Sequence, residues 1–157
     1  MAYSLAFFGA LRVSELVATS PSGRTGGLEL RDIVVGTDTL QIFLRKSKTD
    51  QDGKGMWIHL AAAPSSCYCP LSLVRAYLGV RPPAAHPNLL VHLDGGTLTR
   101  NQFTTICKRA LARLGDDPAR FTSHSFRIGA ATTAAGLGLP EASVKGVGRW
   151  KSDCFQL

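Results

Sequence analysis

His124 and Arg127, in the run H-S-F-R, stand three positions apart, so on a helix they share one face. A fixed guanidinium charge beside an imidazole suits a phosphate: the first holds its oxygens and the second supplies a hydrogen bond or a proton. Arg12 in L-R-V-S-E-L and Lys48 in K-S-K-T-D add two cations from distant parts of the chain. The interior side of an alanine-rich helix is a costly place for Arg127 unless an anion or a carboxylate meets it. After Trp150 the chain reads K-S-D-C-F-Q-L, with no tyrosine.

Other chemistries lack their residues. There is no G-x-x-x-x-G-K-[ST] loop, because G-R-T-G-G is too short and has no lysine. There is no G-x-S-x-G elbow, no H-E-x-x-H and no zinc quartet. Asp50 and Asp52 before Gly53 are not followed by the later ligands of a calcium loop. Cys67, Cys69, Cys107 and Cys154 show neither zinc spacing nor a secreted context, so reduced intracellular thiols are expected. The cationic set comes without any metal-ligand pattern.

The elements that must position these groups follow from periodicity and caps. Ala2 to about Ala18 reads as a helix, with Leu5, Phe8, Leu11 and Leu16 offering core contacts. Strands are expected around Asp32–Val35, Leu40–Arg45 and Met56–Leu60, the last two joined by a polar hairpin that carries Lys46, Lys48 and Lys54. Pro70 opens a helix that runs to about Gly79, and Asn88–Leu93 supplies a short extended piece. Thr99 and Gln102 have capping-box spacing for a helix with an apolar stripe of Phe103, Ile106, Ala110 and Leu114, ended by Gly115. Arg109 and Arg113 fall off that stripe, on a basic face. A helix from about Ser123 to Ala135 and a shorter one from Pro140 towards Trp150 complete the set. The expected class is α+β, mainly helical with a small three-stranded antiparallel sheet.

At 157 residues the chain suffices for one domain with its own core. The net charge of +7 and a pI near 9.6 favour a polyanionic partner. The surplus is concentrated in residues 81–157, with ten Lys/Arg against five Asp/Glu; residues 1–80 hold eight against six. No segment approaches the roughly 18 apolar residues of a membrane span.

Taken in order, L-R-V-S-E-L, S-K-T in a hairpin, H-S-F-R-I-G-A-A-T and G-R-W-K-S-D resemble the motifs of tyrosine recombinases. The resemblance covers essentially the whole chain, and G-R-W-K-S-D-C-F-Q-L is most similar to the end motif of DIRS-type mobile-element recombinases. It implies a recombinase catalytic domain, and with it DNA strand breakage and rejoining through a phosphotyrosine intermediate. It further implies that neither metal nor cofactor is required. By position, Arg12 matches the first catalytic arginine and Glu15 its supporting neighbour. Lys48 matches the hairpin lysine that protonates the leaving oxygen, with Lys46 and Lys54 as competitors. His124 and Arg127 match the H-x-x-R pair. The next position, histidine or tryptophan in the family, falls on Arg149 by register, with Trp150 beside it. Lys46, Lys54, Arg109, Arg113 and Lys151 are the candidate DNA contacts.

The family nucleophile would fall just beyond Leu157, and Tyr3, Tyr68 and Tyr77 lie outside its motif. Residues 1–157 are therefore expected to be a partial catalytic domain, truncated at both ends, without the DNA-clamp domain or the tyrosine segment. The resemblance further implies double-stranded DNA as partner, self-association to a tetramer in the full-length protein, and an intracellular location, nuclear in a eukaryote. A non-catalytic helix-turn-helix-like DNA-binding module is the alternative, with Ala134, Gly138, Val144 and Val147 at its core and turn positions.

Overall fold

The computed structural model describes residues 1–20, 26–45, 54–122 and 124–150. In chain order the described elements are α1 (Ala2–Phe8), α2 (Val13–Leu16), β1 (Ile33–Val35), β2 (Thr39–Leu44), β3 (Met56–Ala61), α3 (Pro70–Val80), α4 (Arg100–Arg113), α5 (Ser125–Gly136) and α6 (Glu141–Gly148). The α+β class with a small antiparallel sheet is as expected.

The N-terminal helix is not continuous to Ala18. It stops at Phe8, and Ala10 takes a left-handed φ of 43° that breaks the i→i−4 ladder. A Cβ on Gly9 would stand 2.8 Å from the Leu5 carbonyl oxygen, so this turn needs glycine there. The break leaves Arg12 extended as the N-cap of α2, where the Glu15 carboxylate accepts its backbone N–H at 2.8 Å. Leu5, Leu11 and Leu16 are buried as expected, but the break turns Phe8 outward, where it is 39% exposed.

The sheet runs β1-β2-β3, antiparallel throughout, with Ile33 opposite Ile42 and Ile42 opposite Ile58. Leu40, Ile42 and Leu44 alternate into the core with Leu71, Val74, Leu89 and Phe103. Each such side chain, fully buried, contributes about 1.5–3 kcal/mol. Phe43 and Trp57 pair on the opposite face, ring centroids 5.0 Å apart. At the end of β2, Arg45 is held by Glu29 and by Asp32, the latter at 3.0 Å, which fixes where the hairpin starts. The hairpin tip itself, residues 46–53, lies outside the described residues. The expected extended piece at Asn88–Leu93 is limited to isolated bridges, Glu29 to Asn88 and Val91 to Thr97.

Helix α4 begins as expected: the Thr99 hydroxyl accepts the Gln102 N–H at 3.3 Å, and the Gln102 side chain accepts the Thr99 N–H at 2.9 Å. Its inward face is different. Phe103 is buried, but Ile106, Ala110 and Leu114 are exposed, and Cys107 and Leu111 turn inward. Those two line an apolar cavity of about 260 Å³ with Phe7, Phe121 and Phe126. The tail of α2 is tied to the start of α4 by a bridge between Ala18 and Thr99. Ala130, Ala131 and Ala134 bury one side of α5; Gly129 lies against Phe7 of α1, and Ala131 and Ala134 pack with Val144 of α6.

Candidate active site

Small residues let α5 approach α1 closely, and this closeness carries Arg127 inward until it is only 4% exposed. Its Nη2 donates to the Gly148 carbonyl, its Nη1 is buried without a hydrogen-bond partner, and its Cζ lies 5.1 Å from the centre of the Trp150 ring. Burial, aided by the positive charges of Arg12 and Arg149, lowers its pKa to about 10, so it remains protonated at neutral pH.

Arg12 approaches from the α1–α2 break, its Nη1 2.8 Å from Glu15 Oε1. The other oxygen of the same carboxylate receives Arg149 Nη2 at 3.0 Å. Arg149 has a left-handed φ of 53° at the end of α6, and its Nη2 also donates to the Ala10 carbonyl at 2.7 Å. Burial lowers its pKa, an effect opposed by Glu15. Two further N–H groups of Arg149, on Nε and Nη1, are buried and unpartnered. The backbone break at Ala10 and the carboxylate of Glu15 thus gather arginines from both ends of the described chain.

His124 is the N-cap of α5, with helical backbone angles. It lines a cleft of about 130 Å³ together with Arg12, Arg127, Ser14, Leu11, Val13 and Arg100. The structure therefore brings three of the sequence-selected groups, Arg12, His124 and Arg127, to one concave surface. Among the described residues no carboxylate lines it. Concentrated positive charge with an unpartnered guanidinium N–H is a receptor for a tetrahedral or pentacoordinate anion.

The other selected residues are placed elsewhere. Glu15 and Arg149 lie behind the cleft, and Trp150 covers Arg127; none of the three lines it. Lys54, Arg109 and Arg113 are exposed and also outside the cleft. Lys46, Lys48 and Lys151 fall outside the described residues, as does the end motif after Trp150. Arg100, which was not singled out from sequence, does line the cleft. Its signal was present only as a basic residue directly after a helix cap.

None of the three tyrosines lines the cleft. Tyr3 donates to the Phe103 carbonyl at 2.9 Å, and burial raises its pKa to about 12. Tyr77 donates to the Leu89 carbonyl at 3.0 Å. Tyr68 is exposed.

No protein-family model matches the chain. An integrase/recombinase XerD homologue of Selenomonas ruminantium is 29% identical over 154 residues, which are 95% of this chain and 42% of that protein. Among solved structures, the XerH site-specific recombinase bound to its difH substrate superposes with a TM-score of 0.69 at 18% identity, over 96% of this chain and 39% of that one. The Tn1549 transposon integrase, in complex with circular intermediate DNA, gives 0.60 at 15% identity, over 97% of this chain and 50% of that one. The chain thus spans about two-fifths of the length of its curated relative. It has the catalytic-domain fold of the tyrosine recombinases and is, in sequence, a relative of a XerD-like integrase/recombinase.

Proposed function

We propose that this chain carries the phosphate-activating part of a site-specific DNA recombinase or integrase, working by strand breakage and rejoining. The observation that carries this reading is the cleft of Arg12, His124 and Arg127, lined by no described carboxylate, in which Arg127 keeps a buried, unpartnered guanidinium nitrogen. Arg12 and Arg127 hold the non-bridging oxygens of a scissile phosphodiester and stabilise its pentacoordinate transition state. His124 hydrogen-bonds that phosphate or assists proton transfer. Glu15 orients Arg12 and Arg149, while Trp150 supports Arg127 from its ring face.

A tyrosine oxygen attacks phosphorus, the bond to the 5′-oxygen breaks, and Lys48 delivers the proton to that leaving oxygen. The 3′-phosphotyrosyl link conserves the bond energy for rejoining. Tyr3 is a poor candidate for the attack, being hydrogen-bonded to the Phe103 carbonyl with a raised pKa, and neither Tyr68 nor Tyr77 lines the cleft. The remainder of the reading rests on resemblance alone: a partial domain, DIRS-type affinity, tetrameric synapsis by the full-length protein, and an intracellular, in a eukaryote nuclear, location. Among the described residues no helix is long and apolar enough to cross a membrane.

The helix-turn-helix alternative has less support. Helices α5 and α6 do pack through Ala131, Ala134 and Val144, with Gly138 at a φ of 76° between them. Yet α6 exposes only Glu141, Ala142, Ser143 and Gly146, a poor set for reading base edges. A nicked suicide duplex tests the proposal. Salt-sensitive binding without a covalent protein–DNA species is expected; a covalent species formed by this chain, or no binding at all, overturns it.

A further inference from the structure

Arg100 is the residue of the cleft that neither the motif series nor the proposed chemistry uses. It is the first residue of α4, exposed, and placed beside Arg12, His124 and Arg127 by the link between the α2 tail and the α4 start. Its backbone N–H donates to the Ala18 carbonyl at 3.1 Å, Ala18 in turn donates to Leu98 at 3.2 Å, and the Thr104 hydroxyl donates to the Arg100 carbonyl at 2.9 Å. The backbone is thus fixed on both sides while the side chain stays at the mouth of the cleft.

Several other described arginines are already engaged. Arg12 and Arg149 sit on Glu15, and Arg45 on Glu29 and Asp32. Arg75 and Arg81 are spent on backbone carbonyls. Arg100 has no ion pair and no side-chain hydrogen bond among the described residues, although it shares a cleft with two other guanidinium groups. Glu15 meets Arg12 from behind, but three guanidinium groups on one cleft against that single carboxylate, which Arg149 shares, leave an excess of positive charge that an anion would offset. The second sign of that anion is independent: Arg127, in the same cleft and almost wholly buried, keeps Nη1 unpartnered. The N-terminal end of the 14-residue α4 adds its partial positive charge at the same place.

We propose that Arg100 is a further phosphate-binding residue of this site, gripping the backbone of the DNA strand at the cleft mouth. It acts in binding and register, whereas Arg12 and Arg127 act on the reacting phosphate. This inference rests on the DNA reading of the cleft. A contact of this kind carries no base information and adds close to one unit to the salt dependence of binding.

The test measures duplex affinity across a salt series for the chain and for its R100Q and R100K variants. R100Q is expected to weaken binding roughly five- to tenfold near physiological salt, about equally for unrelated sequences, and to lower the slope of log K against log salt by about 0.9. R100K, which keeps the charge, is expected to restore the slope. An R100Q slope equal to that of the unsubstituted chain overturns the role of Arg100 and leaves the DNA reading standing. If the unsubstituted chain itself shows no salt-sensitive duplex binding, the DNA reading fails and this inference with it.

Discussion

The Glu15 carboxylate reaches Arg149 across 134 positions of sequence, Oε2 to Nη2 at 3.0 Å, while its other oxygen holds Arg12 at 2.8 Å. Side chains of Glu15 and Arg149 are only 5% and 7% exposed, so water does little to screen or replace the pair. One carboxylate therefore links the start of the described chain to its end, directly behind the candidate phosphate cleft.

Removing that carboxylate leaves Arg149 charged and buried. Glu15→Gln is expected to cost about 3 kcal/mol of stability in urea unfolding, because an uncompensated internal charge is worse than no charge. Replacing Arg149 by Met in the same protein should recover part of the loss. A double variant no more stable than E15Q would show that the two residues are not coupled.

Trp150 lies over Gly148, and a Cβ built on that glycine overlaps the indole ring. Gly148→Ala should therefore displace Trp150 from above Arg127, with a loss of about 1 kcal/mol from the cation–π contact and a shifted tryptophan emission. Trp57, on the sheet, provides an internal reference that W57F removes. Unchanged emission from Trp150 in G148A would contradict the packing.

Tyr3 ionises late because burial penalises its phenolate, and its pKa is raised to about 12. Its folded pKa exceeds the unfolded value of about 10, so its stabilising contribution is complete below about pH 10 and is lost as pH rises through 12. The stability difference between the chain and Y3F should narrow over that window, and ultraviolet titration should lose a late-ionising tyrosine in Y3F. A difference constant across the window would count against the burial of the Tyr3 hydroxyl.

Arg127 is shifted the opposite way, down to about 10. The folded chain binds that proton less tightly than the unfolded one, so the cost of the charged form is present below about pH 10 and fades towards the unfolded value. An anion in the cleft offsets that cost. Sulfate at about 100 times its Kd should stabilise the chain by about 2.7 kcal/mol in thermal melts at neutral pH, and the gain should fall as pH rises through 10. In R127Q the sulfate response should largely disappear; an undiminished response would place the anion elsewhere.

Much of the scaffold was legible in local pattern. Alternation at Leu40, Ile42 and Leu44 identified the central strand, Thr99 and Gln102 the start of α4, and Pro70 and Pro140 the starts of α3 and α6. Ala10 was not legible, since no local signal marks alanine for the left-handed turn that ends α1, where the Leu11 N–H closes onto the Ala6 carbonyl. The face of α4 was misread because two stripes have helical period. Phe103–Ile106–Ala110–Leu114 and Phe103–Cys107–Leu111 are equally regular, and the second is the one that meets Phe7, Phe121 and Phe126 in the fold. Arg12, His124 and Arg127 could be chosen by residue type and order, whereas Arg100 becomes visible only when Ala18 meets Thr99.

The central claim, that this cleft activates a DNA phosphodiester, can be measured without a tyrosine nucleophile. In a nicked duplex selected by the chain from a randomised pool, the 3′ end at the nick carries a p-nitrophenyl phosphodiester. The neighbouring 5′-hydroxyl attacks phosphorus, the bond to p-nitrophenol breaks, p-nitrophenolate leaves, and the hydroxyl proton passes to solvent as the strand is sealed. The chain should accelerate sealing, and R12Q or R127Q should each slow it by about 100-fold. Sealing no faster with the chain than in the protein-free duplex would contradict the account.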